Sequence, residues 1–372
     1  MSVVLRVVAS LAGIIALGFV FGSAIQTLLL PRGVYSRISR FVFIITWQTL
    51  GLRLGRSPSF ERRDRVYAYL GPVYLICLVA SWLALLWLSF SAIFWSVTHE
   101  SAGNAFITSS SALTTLGFVR PPGVGPQLIA ALEAIGGLGL VALLISYLPA
   151  LYTAFSRREA AVNKLASRAG SPPSGPALLS WSWRFDQFED LTAVWRFWED
   201  WFGELGETHT SFPVLASFRS SRPGQSWVTA AGAVLDAAAF RCGVVDAPRD
   251  IDAELCIRAG YQALREISDM LNITYDDNPK PDDPISLIRA EFDEACLFLE
   301  GAGVPLRLER DAAWKDFAGW RVNYDRVLVS LATVTMAPYA PWSSDRSVSR
   351  FRRPPMLFLR KHPRRSKEGA WD

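Results

Sequence analysis

VYAYLGPVYLICLVASWLALLWLSFSAIFWSV, residues 66–97, runs for 32 positions without a charged side chain. An α-helix needs about 20 apolar residues to cross the hydrocarbon of a bilayer, so this stretch predicts a spanning helix that is tilted or longer than the core it crosses. The same signal recurs on either side. Residues 7–30 are 24 consecutive uncharged positions, and residues 124–155 form a third apolar run whose only charge is Glu133 and which stops at Arg157 and Arg158. The first run is too long for the apolar part of a cleaved secretory signal, and Pro31 and Arg32 follow it in place of a small-residue cleavage site. Gly18 and Gly22 lie on one face of it and allow another helix to approach. Trp82, Trp87 and Trp95 of the second run call for no special role. The expectation is an all-α membrane protein with three transmembrane helices.

The rest of the composition agrees. Of 372 residues, 51% are hydrophobic and only 19% charged, with a mean hydropathy of +0.21, too apolar for an ordinary soluble chain. Charge is unevenly distributed: twelve arginines against five acids in 1–160, 17 basic against 27 acidic residues in 161–345, and nine against two in 346–372. Eight of the arginines fall in 31–65, around an apolar run at 41–52 that is too short to cross and reads as an amphipathic helix at the membrane interface. Segment 98–126 holds a single Lys or Arg, Arg120. By the positive-inside rule the N-terminus and segment 98–126 lie outside, and the Arg-rich segment and everything after residue 156 lie in the cytoplasm of a multi-pass cell-membrane protein.

Residues 104–119 read NAFITSSSALTTLGFV, a short helix-capable stretch and a Thr/Gly turn between two spans. It is too short to cross, and irregular backbone is tolerated at membrane depth only where it is buried in protein or lines a water-filled path. A re-entrant loop over 103–120 meets that condition; an outside loop with one helical turn is the competing expectation. Thr114, Thr115, Leu116, Gly117 and Phe118, flanked in this way, resemble the filter of the potassium-channel pore-loop family, which reads Thr-Val-Gly-Tyr-Gly or Thr-Ile-Gly-Phe-Gly. The resemblance covers about residues 66–158. It implies a filter lined by the backbone of Thr114 to Val119, potassium as permeant ion with no other cofactor, and a homotetramer, because one segment per chain cannot close a fourfold ring. The pattern departs at Val119, where the family has its second glycine, and at Arg120, where an acid is frequent.

In the third run, Gly136, Gly137 and Gly139 serve either as the hinge of an inner helix or as close-packing positions, and Pro149 predicts a kink between Tyr147 and Tyr152. Glu133, ionisable inside a span, is expected to support the filter from behind by holding Arg120 or a pore-helix backbone group. Beyond the pore module, 66–158, a linker is expected over 159–177, then a helical cytoplasmic domain over 178–345. Phe188, Leu191, Trp195, Trp198, Phe202 and Leu205 recur at helical spacing. Ser226 caps a helix to about Cys242; Ile251, Leu255, Ile267 and Leu271 mark the next; Asp283 and Pro284 open a third through Glu300; 308–336 read as a fourth. The basic tail, 346–372, is suited to the anionic inner leaflet rather than to nucleic acid, with a disordered solubilising tail as the competing expectation. His209 reads as a structural histidine, with ligand or pH sensor as its rivals, and the acids at 276–283 read as a solvated loop. Four single cysteines and three histidines signal no metal or disulfide framework, and phosphate-loop, nucleophile-elbow and zinc-helix motifs are lacking, so no enzyme is expected. The functional expectation is a tetrameric cation channel conducting potassium, with a non-conducting membrane-anchored sensor that keeps a degenerate pore loop as the alternative.

Overall fold

The computed structural model describes residues 3–30, 36–54, 60–185 and 191–346, and among them it is all-helical apart from one antiparallel bridge, Val245 to Leu306. The chain divides into two compact units, Met1–Pro58 with Arg65–Ala154, and Ser59–Asp64 with Phe155–Asp372.

The first unit contains α1 (Val3–Leu28), α2 (Arg37–Leu52), α4 (Leu70–Val97), α5 (Ala102–Leu113) and the first part of α6 (Val124–Ala169); α3 (Phe60–Tyr67) lies at the boundary. Three helical stretches, those of α1, α4 and α6, are long and apolar enough to cross a membrane. The uncharged α4 is the hub against which α1, α2 and α5 pack. A Cβ added at Gly13 would stand 2.7 Å from the Ser89 carbonyl oxygen, so α1 and α4 meet nearly backbone to backbone at that glycine. Gly18 and Gly22, by contrast, have nothing within 4 Å of that position. The amphipathic helix expected at 41–52 forms as α2, opened four residues earlier by Ser36, whose hydroxyl accepts from Ser39 N at 3.0 Å. Its buried face puts Phe43 edge-on to Tyr74, 5.4 Å between centroids, and Trp47 in a stack with Tyr67 at 4.4 Å.

The tryptophans correct the expectation that they have no special role. Trp82 Nε1 donates to Ser23 Oγ at 3.0 Å, Trp87 Nε1 to Ser110 Oγ at 3.0 Å, and the Trp95 ring lies under Arg6, which also donates to the Trp95 carbonyl at 3.1 Å. An indole carries one N–H, and packed among apolar helices it needs an acceptor that water does not supply.

The second unit is built around α9 (Trp227–Gly243), most of whose residues are buried. Its alanines and glycines let neighbours approach: a Cβ at Gly175 would lie 2.6 Å from Ala237 N, and one at Gly243 2.9 Å from Phe317 N. Packed on α9 are α7 (Gly175–Arg184), α10 (Ile251–Met270), α12 (Arg310–Arg321) and α13 (Asp325–Val334), while α8 (Leu191–Ser211) packs on α10 and α11 (Arg289–Gly301) on α7. Asp236, a buried acid of α9, is held by Arg321 and, at 2.9 Å, by Tyr324 Oη; Arg321 also pairs with Asp325 at 2.8 Å. This is how a buried charge is tolerated, by pairing and hydrogen bonding.

Leu191, Trp195, Trp198, Phe202 and Leu205 are the buried stripe of α8 as expected, and Ser226 caps α9 by accepting from Val228 N at 3.2 Å. Phe188 lies outside the described residues. Three expectations need correction. The linker over 159–177 is mostly helix: α6 continues to Ala169, and Ala161, Val162, Leu165 and Ala169 join the core of the second unit, leaving only residues 170–174 between helices. The helix expected from Asp283 starts at Arg289, because Asp283 instead closes a turn by accepting from Lys280 N at 2.8 Å, and Ser286 is tied to Asp325 through N–H and hydroxyl at 2.7 and 2.6 Å. Residues 308–336 are two helices, parted where the Asn323 side chain donates to the carbonyls of Gly319 and Trp320, both at 3.1 Å, in competition with the backbone. The helix marked by Ile251, Leu255, Ile267 and Leu271 forms as α10; Ile251 and Leu255 are exposed on it, and the buried face runs through Ala253, Cys256, Ile257, Gly260, Leu264 and Ile267.

Candidate pore loop

Between α4 and α6 the chain makes one short helix and one irregular run. Ser101 opens α5 by accepting from Asn104 N at 3.2 Å. The helix closes at Thr114, where Thr114 N donates to Ser110 O and Thr115 N to Ala112 O, at 3.1 and 3.0 Å. Thr115 and Gly117 then take positive φ, 57° and 68°, while Leu116 and Phe118 do not. A left-handed residue after a helix end is common, but a β-branched one is rare because its side chain crowds the backbone; Thr115 spends its hydroxyl on the Thr114 carbonyl at 2.7 Å.

The carbonyls of Thr115, Leu116, Gly117 and Phe118 accept no hydrogen bond from the described residues. All four residues are exposed in the single chain, Leu116 at 72% and Phe118 at 60%. The run ends at Val119, whose N–H donates to Ser111 Oγ at 2.9 Å and whose carbonyl accepts from that hydroxyl at 3.3 Å. Gly117 N–H also donates to the Ser111 carbonyl at 3.3 Å, so Val119, one of the expected filter residues, differs from the four before it in that its carbonyl is taken. Val119 also lacks the positive φ that a glycine there would permit.

The three serines 109–111, passed over in the sequence reading, hold α5 in place. Ser110 accepts from Trp87 Nε1, and the Trp87 and Phe106 rings lie 4.1 Å apart. Ser109 Oγ is 2.5 Å from Glu133 Oε1 and 3.1 Å from the Trp87 carbonyl oxygen, which also accepts from Ser91 Oγ at 2.8 Å. Ser111 clasps Val119. The signal was available in the residue types: hydroxyls on a short helix among apolar runs must find partners inside the protein.

Glu133 is 0% exposed and holds a side chain of α5, Ser109, as distinct from the backbone group or Arg120 that were expected. Arg120 donates instead to Gln127 Oε1 at 3.3 Å, and Gln127 Nε2 to the Pro121 carbonyl at 3.1 Å. Of the three glycines, Gly136 and Gly137 are packing positions: added Cβ atoms would lie 3.0 Å from Phe21 Cζ and 2.6 Å from Leu113 Cδ1. Gly139 faces open space and borders an apolar cavity of about 700 Å³ lined by Phe21, Phe90, Leu132, Ile135, Leu140 and Leu143 among others. α6 runs through Pro149 as continuous helix, with Thr153 Oγ1 donating to the Pro149 carbonyl at 2.8 Å.

In the second unit, His209 is buried. Arg158 Nη1 donates to its Nε2 at 3.2 Å, since a guanidinium has no acceptor, so Nδ1 carries the hydrogen that goes to the Leu205 carbonyl at 2.9 Å. Burial, reinforced by the Arg158 charge, holds this imidazole well below its ordinary 6.5. Arg158 also donates to the carbonyls of Leu215 and Phe218 at 2.9 and 2.8 Å. His209 is therefore a hydrogen-bonded structural histidine. In the acidic loop, Asp276 accepts from Asn278 N at 3.0 Å, closing a turn. No group of three His, Cys, Asp or Glu side chains is placed to hold a metal among the described residues. The basic tail lies outside the described residues beyond Arg346, which is itself pinned by Glu291 at 2.5 Å. No protein-family model, curated protein or solved structure matches the chain.

Proposed function

We propose that this chain is one subunit of a homotetrameric cation channel with potassium as the permeant ion, conducting through the backbone of Thr115 to Phe118. The observation that carries the reading is the run of four successive carbonyls without a hydrogen-bond donor, in a loop between two helices of membrane-spanning length. Carbonyls at membrane depth need a partner, and a ring of them contributed by several chains replaces the hydration shell of an ion. Alternation of φ sign at Thr115 and Gly117 suits such a lining, because it turns successive peptide planes relative to one another. The C-terminal end of α5 points its partial negative charge into the start of the same loop, which favours a cation there.

In this reading α5 and the loop are re-entrant, the N-terminus lies outside, and the second unit is a cytoplasmic domain that modulates conduction. The channel acts by selecting and passing ions, with no catalytic group or added cofactor, and the basic tail contacts anionic lipid. Val119 favours one alternative: its clasp to Ser111 ends the free carbonyls early, as in a membrane-anchored sensor that keeps the architecture without conducting.

The test is potassium and sodium flux through purified full-length protein in liposomes, beside Thr115→Ala and Gly117→Ala. Potassium-selective flux that both substitutions abolish is expected. A folded tetramer without flux, across pH and calcium concentration, would establish the sensor instead.

A further inference from the structure

We infer that Glu133 is a proton-binding site: its carboxyl carries a hydrogen and donates it to Ser109 Oγ, and Ser109 donates in turn to the Trp87 carbonyl. Ser109 stands 2.5 Å from Glu133 Oε1 and 3.1 Å from Trp87 O. A carbonyl oxygen only accepts, and a hydroxyl has a single hydrogen to give. If that hydrogen goes to Trp87, the contact with Glu133 is a hydrogen bond only when Glu133 is the donor. Both distances fall within the range of O–H···O bonds or just beyond it.

The opposite assignment, in which Ser109 donates to a carboxylate, leaves a charge with one hydrogen bond and no counter-ion among the described residues. Glu133 Oε2 is buried without a partner. No charged side chain occurs in α4 or α5, and none occurs in α6 between Glu133 and Arg157. Arg6 in α1 is committed to Trp95, and Arg120 to Gln127. With Glu133 at 0% exposure in the single chain, neither solvent nor a second subunit reaches it. An isolated buried carboxylate in such surroundings is neutralised: before burial it takes a proton from hydronium, whose O–H bond breaks as the carboxyl O–H forms and which leaves as water.

The result is a directed chain of hydrogen bonds from α6 through α5 to α4. Ser109 stands in α5 two residues before Ser111, which clasps the end of the loop, so by fixing α5 Glu133 is a positioning residue for the filter. That last step rests on the channel reading; the protonation does not.

The experiment is infrared difference spectroscopy of the full-length protein in lipid vesicles at neutral pH, parent against Glu133→Gln, whose amide N–H can also donate to Ser109. A protonated-carboxyl C=O band lost in Glu133→Gln is expected, moved to higher frequency by Ser109→Ala, which removes the acceptor. Absence of the band from the difference, or a band that Ser109→Ala leaves in place, would overturn the assignment. Potassium flux on the same vesicles is expected near the parent value in Glu133→Gln and at least tenfold lower in Glu133→Ala; equal loss in both would overturn the positioning role. A band with no flux from the parent itself would keep the proton site and remove the channel reading.

Discussion

Gly117 and His209 are single residues whose surroundings fix what a substitution does. At Gly117 an added Cβ meets nothing within 4 Å, so Gly117→Ala brings no clash and costs only the left-handed backbone of an L-residue, about 1–2 kcal/mol. The melting temperature of the detergent-solubilised protein is expected to change little while flux disappears; a large drop in melting temperature would show that the loop is part of the structural core. His209 stays neutral when folded because it is buried beside Arg158. Its folded value is depressed, so its contribution is complete above the unfolded value of 6.5 and is lost as pH falls below it, where the unfolded chain takes up a proton that the folded one refuses. The slope is up to about 1.4 kcal/mol per pH unit for one proton. Melting curves from about pH 7.5 to about pH 5.5 are expected to fall less steeply in His209→Gln, and parallel curves would contradict this.

At the scale of elements, the glycines of α6 separate hinge from packing. A side chain at Gly137 runs into Leu113 at the end of α5, whereas one at Gly139 does not meet the chain at all. Gly137→Val is therefore expected to overpack the α5–α6 contact by about 1–3 kcal/mol, lowering the melting temperature and the flux together, with Gly139→Val harmless to the fold. If both substitutions instead leave the melting temperature unchanged and alter only open probability, the glycines are a hinge. The sequence showed that α5 would be short and apolar, but its anchoring could not be read there. Ser109, Ser110 and Ser111 are chemically alike and adjacent, yet they go to α6, to α4 and to Val119, because the helical turn points them about 100° apart.

For the whole molecule, orientation is the exposed expectation. With the N-terminus outside, a cysteine introduced as Gly125→Cys in intact cells is expected to react with a membrane-impermeant maleimide, and one introduced as Glu300→Cys is not; the reverse pattern would invert the topology. Crosslinking in native membranes is expected to stop at four chains, as a ring of single filter segments requires.

The three long apolar helices, the amphipathic α2 and most of the helical second unit were legible in residue order, since an uncharged run of sufficient length and a 3.6-residue periodicity are local properties. The boundaries that failed did so where a side chain bonded outside its own segment: Ser286 to Asp325, Asn323 to the preceding turn, and the buried face of residues 161–169 on a core formed by later helices. At the candidate site, the sequence by itself determined that Thr115 to Phe118 lie in a loop between two helices of spanning length. Only the tertiary structure decided that their carbonyls lack donors among the described residues, that Val119 is clasped to Ser111, and that Glu133 lies against Ser109. Residue type sets how many hydrogen bonds a group can make; which of them are made depends on neighbours brought together by packing.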